Sequence, residues 1–208
     1  WSKVRSSISA DAVAAPDGTT TADKLVEDTT AANTHRVQQS ITVSSATAYT
    51  ASVFLKAAER TWSCLTFFDG TTTWILYVNL GSGVLGTAAG SPTATSISAL
   101  ANGWYRVSMT MTTGNTAGQV QVYTATADNV QSYTGDGASG IYLWGAQLEA
   151  ASFPSSYIPT TTASATRAAD VLTVPVSGID YPISLFAEFE RAVDTGAGEG
   201  LLHFSDNT

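Results

Sequence analysis

The sequence predicts an all-β protein, an antiparallel sandwich. Three observations predict it. Helical periodicity is almost absent along the 208 residues. Short runs of β-branched and aromatic residues recur in its place. Clusters of Gly, Asn, Asp, Ser and Thr with turn chemistry separate those runs. Many short strands at such spacing are the pattern of a sandwich or barrel.

The elements follow in order. Pro16-Asp17-Gly18 turns the chain into a strand at 22–27. A second runs over 34–43 and a third over 49–57. The fourth, 62–68, ends at Asp69-Gly70, and the fifth, 73–80, ends at Gly81-Ser82-Gly83. A sixth spans 94–99. Asn102-Gly103 opens the seventh, 103–112, and Gly114-Asn115 closes it. The eighth, 119–126, precedes the loop Gly135-Asp136-Gly137, and the ninth is 140–149.

Alternation assigns faces. Tyr105, Val107, Met109 and Met111 share one side of the seventh strand and are assigned to the core. Trp104, Arg106, Ser108 and Thr110 share the other, which faces water or a groove. In the eighth strand Val120 and Val122 point one way, and Gln119, Gln121 and Tyr123 the other. Strands with one apolar face and one polar, aromatic-dotted face are antiparallel and half-buried.

Residues 1–150 form one domain on this reading. Pro154 and Pro159 lack amide donors, so 151–169 makes no regular ladder and is an extended Pro/Thr-rich strap leaving that domain. Two further strands are expected at 170–176 and 183–191. About 40 residues do not close a sandwich alone, so 170–208 begins a second β-domain or adds strands to the first. A start at Trp1 and a stop in the polar Asn207-Thr208 read as those of a piece of a longer polypeptide.

Composition narrows the function classes. Charged residues make up 12% of the chain, against roughly 25% in an average soluble domain. Surfaces clothed in hydroxyls suit virion and extracellular β proteins. The net charge of −8 repels phosphate backbones and argues against nucleic acid as a partner; neutral sugars feel no such repulsion. No apolar run is long enough for a transmembrane helix, so no membrane insertion is expected. The single cysteine, Cys64, excludes an internal disulfide and reads as a buried, inert thiol in an apolar strand.

Several motifs carry a resemblance. The segment from Tyr49 through Ser52 to Lys56-Ala57 is similar to the Tyr-x-x-Ser-x-x-x-Lys-Ala strand of jelly-roll carbohydrate-binding modules of the family 4, 9 and 22 type. Asp17-Gly18-Thr19, Ala22-Asp23-Lys24-Leu25, Asn102-Gly103-Trp104-Tyr105-Arg106-Val107 and Ile141-Tyr142-Leu143-Trp144 fall in the strand order of that fold. Trp144-Gly145-Ala146-Gln147-Leu148-Glu149, then Ser156-Tyr157-Ile158-Pro159-Thr160 and Thr166-Arg167-Ala168-Ala169-Asp170, resembles a segment of phage tail, spike and head-fibre proteins. There it joins such a module to a concanavalin-like sandwich. The resemblance covers roughly residues 1–170 and implies an antiparallel jelly-roll sandwich. Its implied role is non-catalytic binding of a polysaccharide or host-surface glycan, in a virion or extracellular setting. The alternative within that setting is a structural spike or fibre domain, a spacer or oligomerisation unit, with a homotrimer as the implied assembly.

Related modules often hold a structural calcium through a carboxylate near the end of the last strand. Here Trp144-Gly145-Ala146-Gln147 has no Asp, so a calcium would draw on Asp17, Asp23 and Glu149 with nearby carbonyls. Calcium takes about 6–8 oxygen ligands.

Sugar binding needs aromatic platforms plus amides or carboxylates for the hydroxyls. The aromatic candidates are Trp62, Trp74, Tyr77, Trp104 and Tyr133; each serves equally as core. Trp74, after three threonines, and Tyr133, beside the Gly-rich loop, are expected to be exposed. The polar candidates are His35, Arg106, Gln38 and Gln121, with Arg36 and Gln119 beside them. Enzyme signatures are missing: there is no Gly-x-Ser-x-Gly, His-Glu-x-x-His or phosphate loop. Glycosidases set two carboxylates across a groove. Glu59, Asp69, Asp128 and Asp136 read as turn residues instead.

Overall fold

The computed structural model describes residues 1–160 and 163–166. The strands expected at 170–176 and 183–191, and His203, lie outside the described residues. Trp1–Ala165 is one compact unit. Its strands are β1 (Ser2–Val4), β2 (Ser6–Val13), β3 (Ala22–Glu27), β4 (Asn33–Thr34), β5 (Arg36–Thr42), β6 (Ala48–Ala57) and β7 (Trp62–Phe68). They continue with β8 (Thr73–Asn79), β9 (Val84–Ala89), β10 (Ala94–Ala99), β11 (Trp104–Thr112), β12 (Ala117–Ala125), β13 (Ser132–Tyr133) and β14 (Gly140–Glu149). Each of the nine expected strands is present, with ends that match or shift by one or two residues. A 3-10 turn, Ala101–Gly103, leads into β11.

Two six-stranded antiparallel sheets pack face to face. The front sheet has the order β1-β5-β12-β7-β8-β9, the back sheet β10-β11-β6-β14-β3-β2. Their centres, β5-β12-β7-β8 and β3-β14-β6-β11, carry the eight strands of a jelly roll, with the chain passing between sheets at most connections. A short ribbon pairs β13 with β4.

The core lies where alternation put it. Val37, Leu65, Phe67, Trp74, Leu76, Val78, Val120 and Val122 face inward from the front sheet. Leu25, Ala51, Val53, Leu55, Val107, Met109, Met111 and Ile141 meet them from the back. β11 and β6 pair without a break from Trp104↔Lys56 to Thr112↔Ala48, which fixes which side chains share a face.

In the back sheet β14 bulges between Trp144 and Gln147. Gly145 holds φ +58 there, and a Cβ on it would lie 3.0 Å from the Phe54 ring and 3.2 Å from Tyr157. The bulge bends β14 and lets the following chain turn back. Over residues 151–158 the strap therefore stays against the domain. It lies across the outer face of the back sheet. Thr50 Oγ1 donates to Ala151 O at 2.9 Å and Thr110 Oγ1 to Ser152 O at 3.3 Å. Ser155 N donates to Glu149 Oε2 at 3.0 Å, and Ile158 N to Gln147 Oε1 at 2.9 Å. Tyr157 packs on Trp144, with ring centroids 4.6 Å apart. Strap donors that cannot join a ladder are satisfied by the side chains of Gln147 and Glu149.

Candidate functional site

The outer face of the front sheet is built in rows by register. Arg36, Tyr123, Cys64 and Tyr77 stand side by side across β5, β12, β7 and β8. Gln38, Gln121, Thr66 and Ile75 form the next row, and Ser40, Gln119, Phe68 and Thr73 the third. Toward the other end, Ala125, Trp62 and Asn79 align. This face points away from the core, yet Tyr77 is only 2% exposed and Gln121 and Tyr123 are 7% exposed. Half-buried neighbours, Arg36, Trp62, Phe68, Ile75 and Gln119, stand over and between them.

Hydrogen bonds order the face along β12. Tyr123 Oη donates to Gln121 Oε1, and Gln121 Nε2 donates to Gln119 Oε1. Gln119 Nε2 reaches Ser40 Oγ at 3.3 Å. On β5, Arg36 Nε donates to Gln38 Oε1 at 2.8 Å, and its guanidinium carbon sits 5.3 Å from the Tyr123 ring centroid. Burial pushes the Tyr77 phenol up to about 12 and raises that of Tyr123, so both keep their protons at neutral pH and are donors.

The ladder ends in an open depression of about 460 Å³ lined by Ser40, Thr42, Phe68, Gly70, Ala117 and Gln119. Its rim is pinned by Asp69, a buried carboxylate. Asp69 accepts the amides of Thr71 at 3.1 Å, Thr72 at 2.8 Å and Gly114 at 2.7 Å. Burial alone would raise this carboxyl; the three amides outweigh it and bring it down to about 2. At the opposite end Asp128 ties the chain after β12 to β9, accepting Thr87 N at 2.8 Å and Thr87 Oγ1 at 2.9 Å.

A second polar cluster serves the fold. Glu27 is 1% exposed. It accepts two bonds from Arg60, one from Tyr133 Oη at 2.6 Å and one from Asp136 N at 3.0 Å. His35 lies beside it, fully buried, with Nδ1 2.8 Å from Arg5 O and 3.2 Å from Asp28 Oδ1. Both Glu27 oxygens have partners inside the protein, which is how a buried charge is tolerated.

Of the residues singled out from sequence, six come together on the front face: Trp62, Tyr77, Arg36, Gln38, Gln119 and Gln121. The others are elsewhere. Trp74 was expected to be exposed; it points from β8 into the core, 6% exposed, with its ring 6.1 Å from Phe67. Tyr133 was expected to be exposed, and it is half-buried with its hydroxyl spent on Glu27 and Thr124. His35 is enclosed by backbone carbonyls. Trp104 is sealed on the outer side of the back sheet, Nε1 donating to Ala14 O at 3.1 Å. Arg106 shares that side, its guanidinium over Phe54 and Nη2 3.0 Å from Ser52 Oγ. Sequence reasoning missed Phe68 and Arg5. Phe68 had a signal: of the adjacent pair Phe67 and Phe68 in one strand, one must face outward. Arg5 had none.

The carboxylates named for calcium are each engaged with donors of the chain itself. Asp17 accepts Thr19 N at 2.9 Å, Asp23 accepts Asp11 N at 3.1 Å, and Glu149 holds Ser155. Among the described residues no three Asp, Glu, His or Cys side chains gather as a metal-binding group. Among the same residues no helix is long and apolar enough to cross a membrane. Compared with known proteins, the chain matches no family model and no curated protein.

Proposed function

We propose that this chain is a non-catalytic carbohydrate-binding module whose ligand lies along the outer face of the front sheet. The observation that carries this reading is the donor and acceptor ladder Tyr123-Gln121-Gln119-Ser40, which opens into the depression beside Phe68. Each amide, with its oxygen and nitrogen side by side, suits a pair of neighbouring sugar hydroxyls, and a half-exposed ring beside them offers a platform for a pyranose face. The ligand class is a polysaccharide or cell-surface glycan. The proposed setting, from the resemblance at 144–170, is a phage tail, spike or head-fibre protein, virion-borne or extracellular.

The test is affinity-gel retardation against a panel of soluble polysaccharides, with Gln119→Ala and Phe68→Ala. Removing the Gln119 amide is expected to weaken binding about fivefold, the worth of one hydrogen bond of about 1 kcal/mol. Removing the ring is expected to cost a similar factor. Retardation that both variants retain in full would refute this site. No retardation at all, together with a concentration-dependent oligomer, would move the assignment to a fibre spacer or oligomerisation unit.

A further inference from the structure

The front face carries two guanidinium groups on one shared acceptor, with no ion pair to either among the described residues. Arg5 donates from Nε to Thr34 O at 2.9 Å and from Nη2 to Thr34 Oγ1 at 3.2 Å. Arg36 donates from Nη1 to that same Thr34 Oγ1 at 2.8 Å and from Nε to Gln38 Oε1. The register that sets Val4 opposite Arg36, and the left-handed backbone of Arg5 at φ +50, bring the two heads to one oxygen.

Each guanidinium has five N–H donors, and these bonds use two of each. Asp and Glu outnumber Lys and Arg by 17 to nine in this chain, so carboxylate partners are plentiful. Yet among the described residues neither Arg5 nor Arg36 makes an ion pair, while Lys24, His35 and Arg60 each do. Like charges held in contact without a counter-charge oppose folding. Such a pair offers a seat for an anion that arrives from outside. Both residues are half-buried, and the Arg36 guanidinium sits over the Tyr123 ring at the head of the amide ladder.

We infer that the ligand of this face is an acidic saccharide, and that Arg5 and Arg36 together take its oxyanion, a uronate carboxylate or a sulfate or phosphate ester. This inference rests on the carbohydrate-binding reading above and names its substrate class. Paired guanidinium forks match planar and tetrahedral oxyanions better than point charges do. The net charge of −8 does not forbid it. At about 0.15 M salt the Debye length is about 8 Å, so the distant carboxylates are screened while contact pairs are not.

The experiment is affinity-gel retardation of the full chain at 0.15 M salt. The gels carry polygalacturonate, dextran sulfate or neutral dextran and hydroxyethyl cellulose. The variants are Arg36→Gln and Arg5→Gln, with Lys56→Gln on the back sheet as a control of equal charge change. Arg36→Lys keeps the charge and removes the fork, and covers the case in which a glutamine disturbs the fold around Thr34. Wild type is expected to be retarded by an acidic gel. The affinity should fall tenfold or more in Arg36→Gln and Arg5→Gln, by less in Arg36→Lys, and not in Lys56→Gln. Whether the uronate or the sulfate gel retards more strongly names the source of the oxyanion. Retardation by neutral gels alone, unchanged in the arginine variants, overturns this inference and leaves the carbohydrate reading standing. An equal loss in Lys56→Gln overturns it as well, because general charge would then explain the binding. No retardation by any gel overturns both.

Discussion

Removing Arg60 should unfold this domain far more readily than removing an ion pair of similar length at the surface. Glu27 is enclosed, and two of its four hydrogen bonds come from Arg60. Arg60→Ala leaves a buried carboxylate held only by Tyr133 Oη and Asp136 N. Breaking a buried pair from one side costs about 3–5 kcal/mol. The Arg60 side chain is 23% exposed, so water can partly replace it, and the lower end, about 3 kcal/mol, applies. For a chain of this size each kcal/mol moves the midpoint by about 2–4 °C, which gives a fall of about 6–12 °C. The comparison is Lys24–Glu59, equally short at 2.8 Å, where Glu59 is 53% exposed. Lys24→Ala should cost about 0–1 kcal/mol. Urea unfolding followed by tryptophan fluorescence, with calorimetry for the midpoint, measures both. The double variant Glu27→Gln/Arg60→Ala should recover part of the loss, since a neutral amide can accept from Asp136 N through its oxygen and donate to Tyr133 Oη through its nitrogen, without stranding a charge. A loss in Arg60→Ala no larger than in Lys24→Ala, or a double variant worse than the sum of its parts, would refute the claim that the buried charge sets the cost.

The remaining predictions concern Asp69, Trp74 and Cys64. Asp69 is held at about 2 against an ordinary 3.8, so its folded form binds its proton less readily than the unfolded chain does. Its contribution is complete above about pH 3.8 and disappears as pH falls through about 2. Asp69→Asn should therefore flatten acid unfolding in that window and lower stability at neutral pH by about 1.5–3 kcal/mol. Trp74→Ala should cost about 3–5 kcal/mol in urea unfolding, as a core truncation does. A Trp74→Ala protein of unchanged stability would contradict the inward placement. Burial pushes the Cys64 thiol up to about 12, so it should resist a disulfide exchange reagent at pH 8 in the folded protein and react at once in guanidinium chloride. Rapid labelling of the native protein would show the front face to be open down to its floor.

The strands were legible in the sequence because one face of each is apolar, and the turns between them use Gly, Asn and Asp. What was not legible has a common cause. β1, β2 and β9 lie at sheet edges, mostly exposed, and their polar or small residues show no alternation to read. β8 is apolar on both faces: Trp74, Leu76 and Val78 point inward, Ile75 and Tyr77 outward. Its hydrophobic phase was therefore undetermined until pairing with β7 set it, and Trp74 was placed on the wrong side. Glu27, Arg60 and Tyr133 meet only through tertiary structure. So do Arg5 and Arg36, whose shared contact with Thr34 depends on one left-handed residue and one strand register.

The two outer faces carry similar raw materials, and they differ in what covers them. On the back sheet Phe54, Trp104 and Trp144 form an aromatic cluster, but the chain closes over it with Tyr157, and Thr50 and Thr110 give their hydroxyls to strap carbonyls. Most of that surface is engaged in intramolecular contacts, with Arg106 Nε and Gln147 Nε2 the buried polar atoms there that have no partner among the described residues. On the front sheet the amide ladder is ordered by its own members and by Arg36, and it runs out at an open depression. Ordering side chains before a ligand arrives reduces the entropy lost on binding, which matters for sugars because each contact is weak. A face that is pre-arranged, not crossed by residues 151–158 and supplied with two guanidinium groups that make no ion pair among the described residues is therefore the place where a ligand adds most.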